Sequence, residues 1–177
     1  MTATWVSVLA AYLHLLAVAT YVGGSIAMEL ILGPAQRFVP PAQAQILAQK
    51  SADRFLVLVW SSLALLPASG MLLFFSLSDQ SLVTSGGIFS TGAGRTLLAM
   101  MALWAVLVAN GAVITFVLRP RLASRTSASG GRAAAGAQLQ AMSRAATWVS
   151  RLTRVDLVVA LVVVLLGASL AYGNGIL

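Results

Sequence analysis

The stretch WVSVLAAYLHLLAVATYVGGSIAMELIL, residues 5–32, decides the fold class of this 177-residue chain. It contains a single acidic residue, Glu29, and no lysine or arginine. About 20 predominantly apolar residues in a helix cross the hydrocarbon core of a bilayer, so this stretch predicts a transmembrane helix. Three further runs of this kind lie at about 55–77, 96–118 and 155–172. The runs are continuous and rich in alanine and leucine, which disfavours alternating transmembrane strands.

Composition supports the same fold class. Hydrophobic residues make up 59% of the chain and charged residues 8%, whereas a soluble domain carries about 25% charged residues. We therefore predict an all-α polytopic membrane protein, a four-helix bundle forming a single domain over residues 1–177. The chain has no cysteine, which excludes disulfides and thiolate metal sites. The first run is too long for a signal-peptide core and is expected to be retained.

The distribution of basic residues predicts the orientation. The first connection between helices carries Arg37, Lys50 and Arg54, and the third carries seven arginines between positions 119 and 154. The second connection carries only Arg95. The positive-inside rule places connections one and three in the cytoplasm and both termini outside, as expected for a multi-pass protein of a bacterial plasma membrane. Because the basic residues flank helices, we expect a lipid bilayer and no nucleic acid as partner.

The connections differ in composition. Pro40 and Pro41 favour the start of a helix, and residues 42–53 are expected to form a short interfacial helix before the second span. Residues 78–94, SDQSLVTSGGIFSTGAG, are polar and glycine-rich and predict a loop. The tract SRTSASGGRAAAG at 124–136 predicts a flexible cytoplasmic linker over about 124–137.

The first helix has a polar stripe that contains the chain's one histidine. At heptad steps Ser7, His14, Tyr21 and Met28 line up, and we expect this side to face the bundle. Leucines on the other side, Leu9, Leu13, Leu16 and Leu30, are expected to meet lipid or a partner. Nearby small residues form a ridge that predicts close contact with another helix: Ala19, Gly23 and Ala27.

Depth along the helices indicates which residues share a site with His14. At a rise of about 1.5 Å per residue, His14 lies on the order of 14 Å below the outer end of its helix. Met100 and Met101 are about one turn nearer the outside, Trp104 is level with it, and Pro67 and Ser69 reach a similar depth. Pro67 also leaves the carbonyl of Leu63 without its helical donor.

Two interpretations of this outer set stay open. Imidazole and thioether ligands suit Cu(I) or a haem iron, which predicts a metal site formed by His14 with Met100 or Met101. An ionisable residue inside a membrane is a functional-site candidate by default. Alternatively, His14 is neutral and hydrogen-bonded to a neighbouring backbone group or hydroxyl, and the methionines only pack.

A second polar set lies near the inner boundary. Glu29, Arg54, Arg154 and Asp156 come to similar depth and predict structural ion pairs between helix ends, with a proton or ion path as the alternative. Asn110 is also within a span and is expected to hydrogen-bond another helix. No catalytic motif is present, so enzymatic activity would have to reside in a bound cofactor.

Four segments together resemble the copper-resistance D (CopD-like) family of membrane domains. The opening segment has a histidine, an aromatic residue and a Gly-Gly pair; the second begins Arg-Phe and ends in glycine; the third has a glycine before Leu-Leu; the last contains Asp156 where an acidic residue is common. Met100 stands where the family often has a lysine. The segments are LHLLAVATYVGG (13–24), RFLVLVWSSLALLPASG (54–70), GAGRTLLAMMAL (92–103) and RLTRVDLVVALVVVLLGASLAYG (151–173).

The resemblance implies copper handling near the outer face, with His14 and a methionine as metal ligands and Tyr21 beside the bound group. It also implies a periplasmic or extracellular copper protein as partner. Two alternatives remain. One is a redox protein that binds haem b with His14 as axial ligand, although HemJ-type proteins with a similar opening pair that histidine with a lysine that no helix here supplies. The other is a non-catalytic accessory subunit of a larger membrane complex.

Overall fold

The computed structural model describes residues 2–77, 87–120 and 132–172, which are helical almost throughout. Four helices are long and apolar enough to cross a membrane, and within these ranges there is no strand. The predicted all-α, four-helix membrane fold is confirmed, while the orientation remains a prediction. We call the end with the start of the first helix the outer end. The candidate spans are Trp5–Phe38, Ala42–Ser76, Gly92–Leu118 and Thr147–Tyr172.

The long helices, numbered in chain order, are α1 (Thr2–Ile26), α2 (Pro41–Leu77), α3 (Gly92–Ala112) and α4 (Arg132–Tyr172). The two odd-numbered helices each continue into a six-residue π-helix. These π-helices are Ala27–Leu32 after α1 and Val113–Leu118 after α3. Short helical pieces complete the described chain: Gly33–Ala35, the 3-10 helix Gln36–Phe38, and Gly87–Ser90.

Both even-numbered helices begin well before their apolar runs. The expected interfacial helix at residues 42–53 is continuous with α2. Helix α4 begins at Arg132, inside the stretch that the sequence predicted as a linker, and residues 124–131 lie outside the described ranges. The reason is that hydropathy marks the part of a helix that lies in lipid, whereas alanine, glutamine and arginine extend a helix equally well in water.

The outer connection is shorter than predicted. Residues 78–86 lie outside the described ranges, but a short helix forms at Gly87–Ser90 and α3 already begins at Gly92. Thr91 caps α3, since its hydroxyl accepts from the Gly94 amide at 3.1 Å and donates to the Gly87 carbonyl at 2.7 Å. A Cβ on Gly94 would lie 2.3 Å from the Ile88 carbonyl oxygen, so glycine is required for this close turn.

The bundle consists of two antiparallel hairpins. Helix α1 packs along α2 and α3 along α4, and α1 also contacts α4, whereas α2 and α3 approach each other at fewer places. The central core combines residues from all four helices: Tyr21, Val59, Leu63, Leu107 and Ala160. Many large apolar side chains outside this core are exposed, as expected for a surface that faces lipid.

The polar stripe of α1 faces the bundle as predicted. Ala10, Ala17, Tyr21 and Ser25 are buried, and His14 is partly buried. The leucines predicted to point away are exposed at three of four positions, Leu9, Leu16 and Leu30. The heptad pattern therefore identified the buried face of the first helix.

The small-residue ridge was placed on the wrong face. Ala19, Gly23 and Ala27 are exposed, and a Cβ on Gly23 would meet nothing within 4 Å. The close helix contact is made one residue later, where a Cβ on Gly24 would lie 2.8 Å from Cε2 of Phe55. Consecutive residues on a helix point about 100° apart, so an error of one position turns a packing residue into a lipid-facing one.

Candidate functional site

In the outer half of the bundle, His14 of α1 contacts the polar end of α2. Its Nδ1 lies 3.0 Å from Oγ of Ser69, and Ser69 is only 3% exposed. A Cβ added to Gly70 would lie 3.3 Å from Cε1 of His14, so the glycine gives the ring room beside the α2 backbone. The chain thus holds its single imidazole against one turn of the neighbouring helix.

The hydrogen bonds of Ser69 assign the tautomer of His14. The Ser69 hydroxyl donates to the Leu65 carbonyl at 2.6 Å, with the Leu66 carbonyl at 3.2 Å. Since its one hydrogen is used there, Ser69 Oγ is an acceptor towards the ring, and Nδ1 of His14 carries the hydrogen. The Leu66 carbonyl also interacts with the imidazole. A neutral ring of this tautomer has its lone pair on Nε2, the atom available to a metal.

The carbonyl released by Pro67 is already engaged. The indole Nε1 of Trp104, on α3, donates to the Leu63 carbonyl at 3.0 Å. The sequence predicted a free acceptor here, and the structure supplies a donor from the facing hairpin. This bond spans the gap between α2 and α3, as does the bond from Trp60 Nε1 to Thr115 Oγ1 at 3.3 Å.

The two methionines lie on different surfaces. Met100 is partly buried, and its Cε would be 3.5 Å from a Cβ on Gly167 of α4. Met101 is 63% exposed and points away from the bundle. The hydrogen bond of the His14 ring goes to Ser69, and the structure places Met100 against Gly167 of α4.

Tyr21 lies deeper than His14 and belongs to the core. It is 4% exposed and packs in the central cluster with Val59 and Leu63. Seven residues separate it from His14, about 10 Å along the helix axis. Its phenol interacts electrostatically with the carboxylate of Asp156 on α4. Tyr21 therefore adjoins the inner polar set rather than the imidazole.

Within the inner polar set, Asp156 is held inside the α3–α4 hairpin by Asn110. Nδ2 of Asn110 on α3 donates to Oδ1 of Asp156 at 2.8 Å, and Asp156 is 9% exposed. This is the interhelical hydrogen bond expected of Asn110. Asp156 is thus held by an amide, whereas the sequence had placed it among the ion pairs.

The ion pairs of the described chain tie α1 to α4 and α2 to α3. Nε of Arg154 lies 2.6 Å from Oε1 of Glu29, as a pairing of helix ends predicts, and Arg119 pairs with Asp53. Arg54 takes part in neither pair. Sequence reasoning missed the Asp53–Arg119 pair, although both residues border spans at the inner end and carry opposite charge.

No group of three or more His, Asp or Glu side chains that could hold a metal ion occurs in the part of the chain described. A metal site here would rest on the His14 imidazole and on softer ligands. Nε2 of His14 is the best-prepared donor, since Ser69 fixes the other ring nitrogen.

Residues 49–170 match the family model described as Copper resistance protein D. The match covers most of α2, all of α3 and nearly all of α4, and it leaves His14 and Tyr21 outside. No curated protein and no solved structure matches the chain.

Proposed function

Because this chain belongs to the copper resistance protein D family, we propose that it binds Cu(I) near its outer face through His14 and takes part in moving copper. Family membership supports a copper-resistance membrane protein. The choice of His14 as ligand is the finer part of the proposal.

The orientation of the His14 ring is the observation that carries this proposal. A metal-binding histidine commonly donates its second ring N–H to a neighbouring oxygen, which fixes the tautomer and the ring plane. Ser69 plays that part here at 3.0 Å. The ring is also only partly buried.

Met100 is the better candidate for the second ligand. The same number of residues separates His14 from the π-helix at Ala27 and Met100 from the π-helix at Val113. Counting from the two π-helices thus puts Met100 at about the depth of His14, one turn deeper than counting from the outer helix ends did. A thioether is a soft ligand suited to Cu(I), and a methionine side chain has three rotatable bonds with which to leave Gly167. Met101 would need a larger rearrangement, because it faces lipid.

A protein outside the membrane is the natural source of copper in this proposal. Free copper is scarce wherever strong ligands compete, so a soluble carrier that docks at the outer end would deliver Cu(I) to Nε2 of His14. We place the protein in a bacterial plasma membrane on the basis of its four spans and charge distribution.

Metal analysis and a visible spectrum of the protein purified in detergent test the proposal together. We expect one Cu(I) per chain after loading with reduced copper, and no Soret band. A Soret band on the purified protein would instead favour His14 as an axial haem ligand. If the purified protein binds neither copper nor haem, the remaining function is that of an accessory subunit of a membrane complex.

A further inference from the structure

A groove of about 390 Å³ opens at the inner end of the α1–α2 hairpin, far from His14. Four residues of the π-helix Ala27–Leu32 line one side, and Phe55 and Leu58 of α2 line the other. Ser51 and Arg54 lie at its polar end. The volume is within the range of sites that hold small molecules.

The π-helix accounts for the position of the groove. A π-helix is wider than an α-helix and often marks a functional site. Above it, the Phe55 ring lies against Gly24, where an added Cβ would be 2.8 Å from Cε2. This contact closes the groove towards the membrane centre, while its side stays open because Ile31 is 66% exposed.

Neither ion pair of the described chain neutralises Arg54 at the polar end of the groove. Asp53, the neighbour of Arg54 in sequence, pairs with Arg119 of another helix. Glu29, on the π-helix that lines the groove, pairs with Arg154 of α4. Arg54 is exposed, and Lys50, one turn earlier on α2, is exposed as well. The rim is therefore basic and the floor apolar.

We propose that this groove binds one anionic phospholipid. Its phosphate lies against Arg54 and an acyl chain runs along Phe55 and Leu58. A lipid fits this surface because the groove opens sideways to the bilayer and has its cation at the membrane boundary. Basic pockets between helices at the cytoplasmic side are suited to anionic headgroups.

Native mass spectrometry of the full chain in a zwitterionic detergent tests the proposal. The protein is titrated with phosphatidylglycerol or with phosphatidylcholine of the same acyl chains. We expect one tightly bound phosphatidylglycerol and weaker binding of phosphatidylcholine. Arg54→Gln should weaken phosphatidylglycerol binding roughly fivefold, which corresponds to about 1 kcal/mol for one basic residue.

Two further variants separate this site from general charge effects. Arg151→Gln removes an exposed arginine of α4 outside the groove and should leave binding unchanged. Ala27→Phe keeps every charge but fills the groove, and should weaken binding of both lipids. Equal binding of the two lipids by the wild type, or an equal loss in Arg54→Gln and Arg151→Gln, would overturn the proposal. A groove filled by a second copy of the chain would also overturn it. In that case the protein would be a dimer without bound lipid, and Ala27→Phe would disrupt the dimer.

Discussion

The outer and inner halves of the bundle are joined by different chemistry. In the outer half, His14 and Trp104 reach a serine or a carbonyl on α2, and the bonds are between uncharged groups. In the inner half, α3 and α4 are joined by Asn110 and Asp156, and ion pairs tie the helix ends. The polar and charged contacts of the inner half determine which helices are neighbours. The outer half places one titratable side chain, His14, within that arrangement.

His14→Ala is expected to have the largest effect. It should abolish Cu(I) binding, measured by metal analysis after loading, while the purified protein remains helical and monodisperse. The fold should survive because alanine is small and Ser69 keeps its bonds to the Leu65 and Leu66 carbonyls. Met101→Leu is the control, since that side chain faces lipid. Unchanged copper binding in His14→Ala would assign the outer half a purely structural role.

Ser69→Ala keeps the proposed ligand His14 but removes the hydrogen bond that orients its ring. We expect copper affinity to fall roughly 10–100-fold, the usual cost of losing the partner of a metal-bound histidine. Ser61→Ala is a matched control on the same helix, because Ser61 is exposed and makes a similar bond to the Val57 carbonyl at 2.8 Å. Competition with a Cu(I) chelator measures both. Equal affinities in the two variants would remove Ser69 from the site.

Asn110→Leu tests the structural role of the inner half. Asp156 would lose the amide donor at 2.8 Å while staying buried, and the free energy of unfolding should fall by about 2 kcal/mol. Asp156→Asn should cost less, because an amide can still pair with Asn110. Unfolding in mixed detergent micelles measures both changes, and copper affinity should be unaffected. If Asn110→Leu instead lost copper binding and kept its stability, the inner half would be the copper-binding half and not the structural one.

A pair of adjacent glycines tests the packing of the α1–α2 hairpin that both halves share. Gly24→Ala places a methyl group 2.8 Å from Phe55 and should destabilise the protein by about 1 kcal/mol or more. Gly23→Ala meets open space and should be neutral or slightly stabilising, as alanine favours helix. Thermal unfolding of the two variants in one detergent compares them. Equal melting temperatures would contradict the helix register.

The smallest effect is expected from Trp104→Phe, which removes the donor to the Leu63 carbonyl. The loss should be about 1 kcal/mol in the wild type. In a Pro67→Ala background it should be near zero, because residue 67 then donates its own amide to that carbonyl. A double-mutant cycle of unfolding free energies measures the difference. An equal loss in both backgrounds would mean that Trp104 acts through packing alone.

Hydropathy predicted the spans because partitioning into lipid depends on composition along a single segment. Pro40 and Pro41 marked the start of a helix, but hydropathy did not predict that this helix is continuous with the second span or that α4 begins at Arg132, since helical structure continues beyond the membrane. Periodicity identified the buried stripe with His14 and Tyr21, yet it chose Gly23 over Gly24. Gly23 and Gly24 are the same residue type but point in different directions from the helix. The position of the partner helix determines which of them packs.

The candidate site was partly predictable for the same reason. Counting residues along the helices brought Ser69 to the depth of His14, and the structure joins them. Depth alone could not assign Met100 to the surface facing α4 or join Trp104 to the carbonyl released by Pro67. Those contacts depend on rotation about each helix axis and on which helices are neighbours. Arg54 was assigned to an ion pair by charge and depth, although Asp53 and Glu29 pair elsewhere.

The π-helices at the ends of α1 and α3 also determine where the chain tolerates a change of length. A π turn holds one residue more than an α turn. Deleting one residue within Val113–Leu118 would therefore let the segment close as α-helix, while Trp104 and Arg119 keep their facings. The same deletion between Trp104 and Asn110 would turn one side of α3 by about 100° against the other. A single insertion or deletion in α1 or α3 would thus change the rotation of the outer half relative to the inner half. Within the two π-helices, the same change would be absorbed locally.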